Sequence, residues 1–135
     1  MHKDYKKADA LSREAIGAAI EVHRIKGPGL IESIYEKCLM RELDLRKINA
    51  TNQETIPIEY KGITFEEHLR LDIYIENCLI LELKCVDSVL PMHKAQLLSY
   101  MNLLDAPVGL LINFHNMRLV DGISRMILKG ADSTN

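Results

Sequence analysis

The sequence predicts an α/β domain, a mixed β-sheet flanked by helices. Three observations lead there. Apolar residues recur at helical spacing over the first third of the chain, and the period drops to two from Thr51. A nearly continuous apolar run, Val108 to Phe114, then reads as a central strand covered on both faces. At 135 residues the chain is expected to form one domain, 1–135, because either half alone would be too small to bury a core.

The elements follow in order. Asp9 to about His23 reads as a helix with Leu11, Ala15, Ala18 and Val22 on one face. Ahead of it, MHKDYKK reads as a flexible basic arm over residues 1–8. Gly27-Pro28-Gly29 stops the helix, and a second runs from near Leu30 to about Arg46. Ile31, Ile34, Tyr35, Cys38 and Leu39 form its apolar stripe, while Glu36, Lys37, Arg41 and Glu42 suit a solvated face. Thr55 to Tyr60 alternates, Lys61-Gly62 is a hairpin turn, and Ile63 to Phe65 begins the return. Pro57 puts the first strand at a sheet edge, since it cannot donate to a neighbour. Leu69 to Ile75 and Leu79 to Cys85 follow as two strands joined at Glu76-Asn77-Cys78. After Pro91 a helix covers about Met92 to Leu104. Met117 to Val120 is expected to pair with the Val108–Phe114 strand, and Arg125 to Lys129 ends in a strand extension or short helix. The order α-α-β-β-β-β-α-β-β belongs to a layered α/β domain.

Composition narrows the function. Hydrophobic residues at 47% and charged residues at 27% are ordinary for globular chains, which excludes a disordered or fibrous chain. Seventeen Lys and Arg against 19 Asp and Glu give net −2, so wrapping of nucleic acid by charge alone is not expected; net charge leaves a local basic groove open. Aromatic residues at 5% weigh against a base-stacking platform. Cys38, Cys78 and Cys85 form no CxxC pair, which excludes a four-cysteine zinc site and points to a reducing, cytoplasmic setting. No apolar run approaches the roughly 20 residues of a membrane helix, so no membrane partner is expected.

The most informative stretch is Arg70 to Lys84. Alternation puts Leu71, Ile73 and Ile75 on one face of their strand and Asp72 and Tyr74 on the other. On the next strand Leu79, Leu81 and Leu83 share a face, opposite Ile80, Glu82 and Lys84. A hairpin centred on Asn77 pairs Ile75 with Leu79, Ile73 with Leu81 and Asp72 with Glu82, and opposed residues have Cβ atoms about 5 Å apart. Two carboxylates facing each other are destabilising unless a cation relieves them. A divalent metal does so with hard oxygen ligands. Lys84 projects to the same face and can hold a water or stabilise charge developing on a phosphate. A second ExK, Glu59-Tyr60-Lys61, adjoins the Gly62 turn without an opposed Asp and reads as a surface hairpin pair. On the helices, Glu32 and Tyr35 lie one turn apart, as do Gln96 and Tyr100, with His93 a turn earlier. A glycine-rich phosphate loop and a nucleophile elbow are both missing.

Gly29-x-x-Glu32-x-x-Tyr35, Asp72, Glu82-x-Lys84 and Gln96-x-x-x-Tyr100 together resemble the GxxExxY proteins of the PD-(D/E)XK nuclease superfamily. The likeness runs from roughly Leu11 to Leu128 and includes Pro57 to Gly62 and Gly109 to Phe114; it departs in having Leu71, not Pro, before Asp72. The resemblance implies a restriction-endonuclease-like core. It implies that Asp72 and Glu82, with the Leu83 carbonyl, ligate Mg2+ or Mn2+, and that Lys84 positions or activates the attacking water. It further implies that Glu32 binds metal directly or through water, and that Gln96 and Tyr100 orient the phosphate or the metal-bound water. The expected function is divalent-metal-dependent hydrolysis of nucleic-acid phosphodiesters, DNA first, with a homodimer or partner protein completing the substrate surface. Two alternatives compete with it. One is a non-catalytic nucleic-acid or protein-binding accessory module that retains the fold. The other is a phosphodiesterase for small substrates, which would need no basic surface.

Overall fold

The computed structural model describes residues 1–134. Its sheet has five strands in the order β1-β2-β3-β4-β5: β1 (Ala50–Tyr60), β2 (Ile63–Ile75), β3 (Leu79–Lys84), β4 (Val108–Asn113) and β5 (Ile123–Ile127). The β1–β2, β2–β3 and β4–β5 pairs are antiparallel, and β3–β4 is parallel. A parallel pair needs a crossover, here supplied by helix α3 (Pro91–Leu104). Helices α1 (Tyr5–Lys26) and α2 (Glu32–Leu45) cover the opposite face.

Two apolar layers hold the sheet. On the α1–α2 side Ala15, Ala18, Tyr35, Leu39 and Leu43 pack with Ile73, Leu81, Leu83, Leu110 and Ile112. On the α3 side Leu97, Tyr100 and Met101 pack with Leu71, Tyr74, Ile80 and Leu111. Truncating one of these buried leucines to alanine costs about 2–5 kcal/mol. The fit under α3 is close at Gly109 in β4: a Cβ there would lie 2.6 Å from Met101 Sδ and 3.0 Å from Leu97 Cδ1, so those side chains would have to shift. β1 is an edge strand, as Pro57 demands, and Lys61 and Gly62 both take positive φ (48° and 86°), the conformation of a tight I′ hairpin turn.

Four expectations need correction. Ile63–Phe65 and Leu69–Ile75 are parts of one 13-residue strand; the polar residues between them lie on an exposed ribbon, where charge does not interrupt pairing. Residues 1–8 are not a free arm: α1 begins at Tyr5, and the His2 backbone N–H donates to Ala131 O at 2.8 Å. Met117–Val120 does not pair with β4, because Leu119 turns into the core in a 3-10 turn (Leu119–Gly122); β5 takes that edge. In the α2 stripe Tyr35 and Leu39 are fully buried, whereas Ile31 and Ile34 stay exposed. Among the described residues no helix is long and apolar enough to cross a membrane.

Candidate active site

The turn before α2 is closed by a side chain. Tyr35 is fully buried and stacks on Phe114 with ring centroids 4.4 Å apart and planes 9° from parallel. Its hydroxyl donates to Gly27 O at 2.5 Å and accepts from Leu30 N–H at 3.1 Å. One phenol thus ties both ends of the Gly27–Leu30 loop and sets where α2 begins. Glu32, the first residue of that helix, is half-buried.

β2 and β3 pair as the turn at Asn77 requires: Ile75 with Leu79, Tyr74 with Ile80 and Ile73 with Leu81. One step further the ladder gives way to side-chain bonds. The Asp72 backbone N–H donates to Glu82 Oε1 at 3.4 Å, and the Leu83 backbone N–H donates to Asp72 Oδ2 at 2.8 Å. Both carboxylates are therefore anchored by the other strand's residue or its neighbour. The expected facing of Leu71 is wrong: Leu71 packs with Tyr74 and Ile80 under α3, not with Ile73 and Ile75. Strand alternation inverts at Asp72.

The charges are coupled. Burial first, then the Asp72 charge and a side-chain hydrogen bond with Asp72, push the Glu82 carboxyl up to about 9, against the Asp72 backbone N–H and the Lys84 charge, which lower it. Burial also raises Glu32, helped by the Asp72 charge and opposed by Lys84. The Tyr100 hydroxyl is raised by burial, then by Glu82 and Asp72, against a hydrogen bond with the Gln96 side chain. Asp72 and Lys84 thus act on Glu32 of α2, while Asp72 and Glu82 act on Tyr100 of α3, which bonds Gln96.

A cleft of about 540 Å³ opens beside it, lined by Leu69, Met92, His93, Gln96, Ser99 and Tyr100. Gln96 is exposed at its wall and Tyr100 is buried at its base. His93 has a local task, its Nδ1 accepting from Leu90 N–H at 3.0 Å at the start of α3.

The donor chemistry fits a hard divalent cation. Asp72 and Glu82 supply carboxylate oxygens, Leu83 between Glu82 and Lys84 supplies a backbone carbonyl, and a buried carboxyl held near 9 gains most from a positive ion. Among the described residues no three or more His, Cys, Asp or Glu side chains are grouped to hold an ion. Glu32 lies within reach of the Asp72 and Lys84 charges.

One residue of this neighbourhood escapes helical periodicity. Glu36, read from sequence as solvated, is 8% exposed and accepts hydrogen bonds from Asn52 Nδ2 at 3.1 Å and Gln53 Nε2 at 2.6 Å. Its spacing of one turn from Glu32 is the signal that marks it, because both then project from one side of α2.

A family model of the PD-(D/E)XK nuclease superfamily matches residues 9–126. No curated protein matches the chain. A solved structure described as that of SSO0001 is 26% identical with a TM-score of 0.49, over 70% of this chain and 47% of that one, so the chain spans about half its length. The mixed sheet between helices, the Asp72–Glu82–Lys84 arrangement and a family match over most of the sequence lead to one conclusion: the chain belongs to the PD-(D/E)XK nuclease superfamily.

Proposed function

We propose that this chain is a divalent-metal-dependent phosphodiesterase acting on nucleic acid, DNA first. The observation that carries the reading is the pair of carboxylates on adjacent strands, Asp72 held by Leu83 N–H at 2.8 Å and Glu82 by Asp72 N–H at 3.4 Å, with Lys84 two residues along β3. Opposed carboxylates, one of them buried, are costly in an empty site and useful around a cation.

In this reading Asp72, Glu82 and the Leu83 carbonyl hold Mg2+ or Mn2+, which when bound supplies Lewis acidity and a water of lowered pKa. Lys84 holds the attacking water and stabilises negative charge that develops on the phosphate. Glu32, half-buried at the start of α2, binds the metal directly or through a water. Gln96 and Tyr100 orient a phosphate oxygen at the cleft wall. With net −2 the chain carries little charge for a long nucleic acid, so a second copy or partner protein completing the substrate surface is part of the proposal. Three free cysteines fit a cytoplasmic site of action.

The test is cleavage of single- and double-stranded DNA and RNA in Mg2+ or Mn2+ by the wild type and by Lys84→Ala. Metal-dependent cutting by the wild type that is lost in the variant supports the reading. Cutting of none of these substrates by a metal-binding wild type would favour the accessory module or the small-substrate phosphodiesterase.

A further inference from the structure

The inversion of β2 at Asp72 has an identifiable cause on the neighbouring strand. Successive side chains of a strand point to opposite faces, yet Asn52 and Gln53 of β1 both reach Glu36 on α2. Gln53 achieves this with φ at 54°, a left-handed conformation that is strained for a residue with a Cβ and persists where its surroundings enforce it. The β1–β2 register runs Asn52 with Ile73 and Glu54 with Leu71, so Gln53 stands opposite Asp72. Both strands invert there together. On one side of that point Ala50, Ile73 and Ile75 pack toward α1 and α2; on the other Ile56, Leu69 and Leu71 pack toward α3.

We infer that Glu36 is a positioning residue: by holding the Gln53 side chain it keeps Gln53 left-handed, which inverts the paired strands and directs the Asp72 carboxylate onto Leu83 N–H beside Glu82. Because Glu36 lies one turn after Glu32, the same helix places Glu32 and, through β1, Asp72. The catalytic meaning of this rests on the proposed function; the geometric claim stands by itself and is read separately.

The experiment measures amide hydrogen exchange at Leu83 and calorimetric Mn2+ affinity in the full chain. In folded Glu36→Ala, Leu83 should exchange about tenfold faster with Leu110 in β4 unchanged, and Mn2+ should bind about tenfold more weakly, as for other groups that orient metal ligands. Adding Gln53→Gly should return both values toward wild type, because glycine takes positive φ without a tether. A merely structural loss would not be repaired by a glycine in a strand. Unchanged Leu83 protection in folded Glu36→Ala, or a glycine that restores nothing, overturns the inference. Should Glu36→Ala fail to fold, Gln53→Ala and Gln53→Gly decide: the alanine should lose Leu83 protection and the glycine keep it, and equal behaviour overturns the claim. A wild type that binds no Mn2+ removes the proposed function, while the exchange data still decide whether Glu36 positions Asp72.

Discussion

The Leu83 backbone N–H donates to the Asp72 carboxylate at 2.8 Å, while the Asp72 backbone N–H donates to the Glu82 carboxylate at 3.4 Å. Each acidic side chain therefore accepts a backbone N–H from the other strand just past the Ile73–Leu81 pair, where the regular ladder ends. The carboxylates are held in place before any cation arrives, and the cost of their proximity falls on Glu82, the more buried of the two.

That cost sets a pH dependence. The Glu82 pKa in the folded chain is raised from 4.5 to about 9. Below pH 4.5 both states carry the proton and the contribution is fully present; as pH rises toward 9 the unfolded chain releases it first, and metal-free stability falls. Melting in EDTA between pH 5 and 9 should show this decline, and Glu82→Gln should flatten it. Mn2+ binding at pH 7 should release a proton, seen as calorimetric heats that vary with the ionisation enthalpy of the buffer.

Asp72→Asn separates charge from hydrogen bonding. The amide oxygen still accepts from Leu83 N–H, but the charge that raises Glu82 is gone. In EDTA at pH 8 the variant should be more stable than wild type by about 1 kcal/mol, while Mn2+ affinity collapses. Asp72→Ala should gain less stability, since it leaves the Leu83 donor unpaired.

Lys84→Ala should abolish hydrolysis, by a factor of about 10²–10³ or more, and leave metal binding largely intact. It should also modestly destabilise the metal-free protein, because the Lys84 charge lowers the pKa of both Glu82 and Glu32. The same variant in saturating Mn2+ should show a smaller loss.

Tyr35→Phe keeps the stack on Phe114 and deletes the hydroxyl that bridges Gly27 O and Leu30 N–H. Urea denaturation should report a loss of about 1 kcal/mol from two half-buried groups left without this partner. Since the loop sets where α2 begins, metal-dependent activity should fall through Glu32.

How much of this could be read from sequence differs from residue to residue. The Ile73–Leu81 register follows from a short turn and period-two alternation, both local, and Asp72 opposite Glu82 follows from the register. The edge position of Pro57 and the Lys61-Gly62 turn are equally local. Alternation alone puts Leu71 on the wrong face because its direction depends on Gln53, which in turn depends on a carboxylate from another element. Glu36 reads as solvated for the same reason: helical spacing registers that it is charged, not that two amides from β1 await it. Met117–Val120 fails as a strand because the burial of Leu119 draws the chain inward. Local pattern reaches the strand pairing; contacts between elements decide which way the side chains turn.

In the proposed function Asp72 and Glu82 form a cation site served by Lys84, and calorimetric titration of Mn2+ into four proteins at pH 7.5 tests this most directly. Wild type and Lys84→Ala should bind, and Asp72→Ala and Glu82→Ala should not. Absence of binding in the wild type, or undiminished binding in folded Asp72→Ala, would contradict the account.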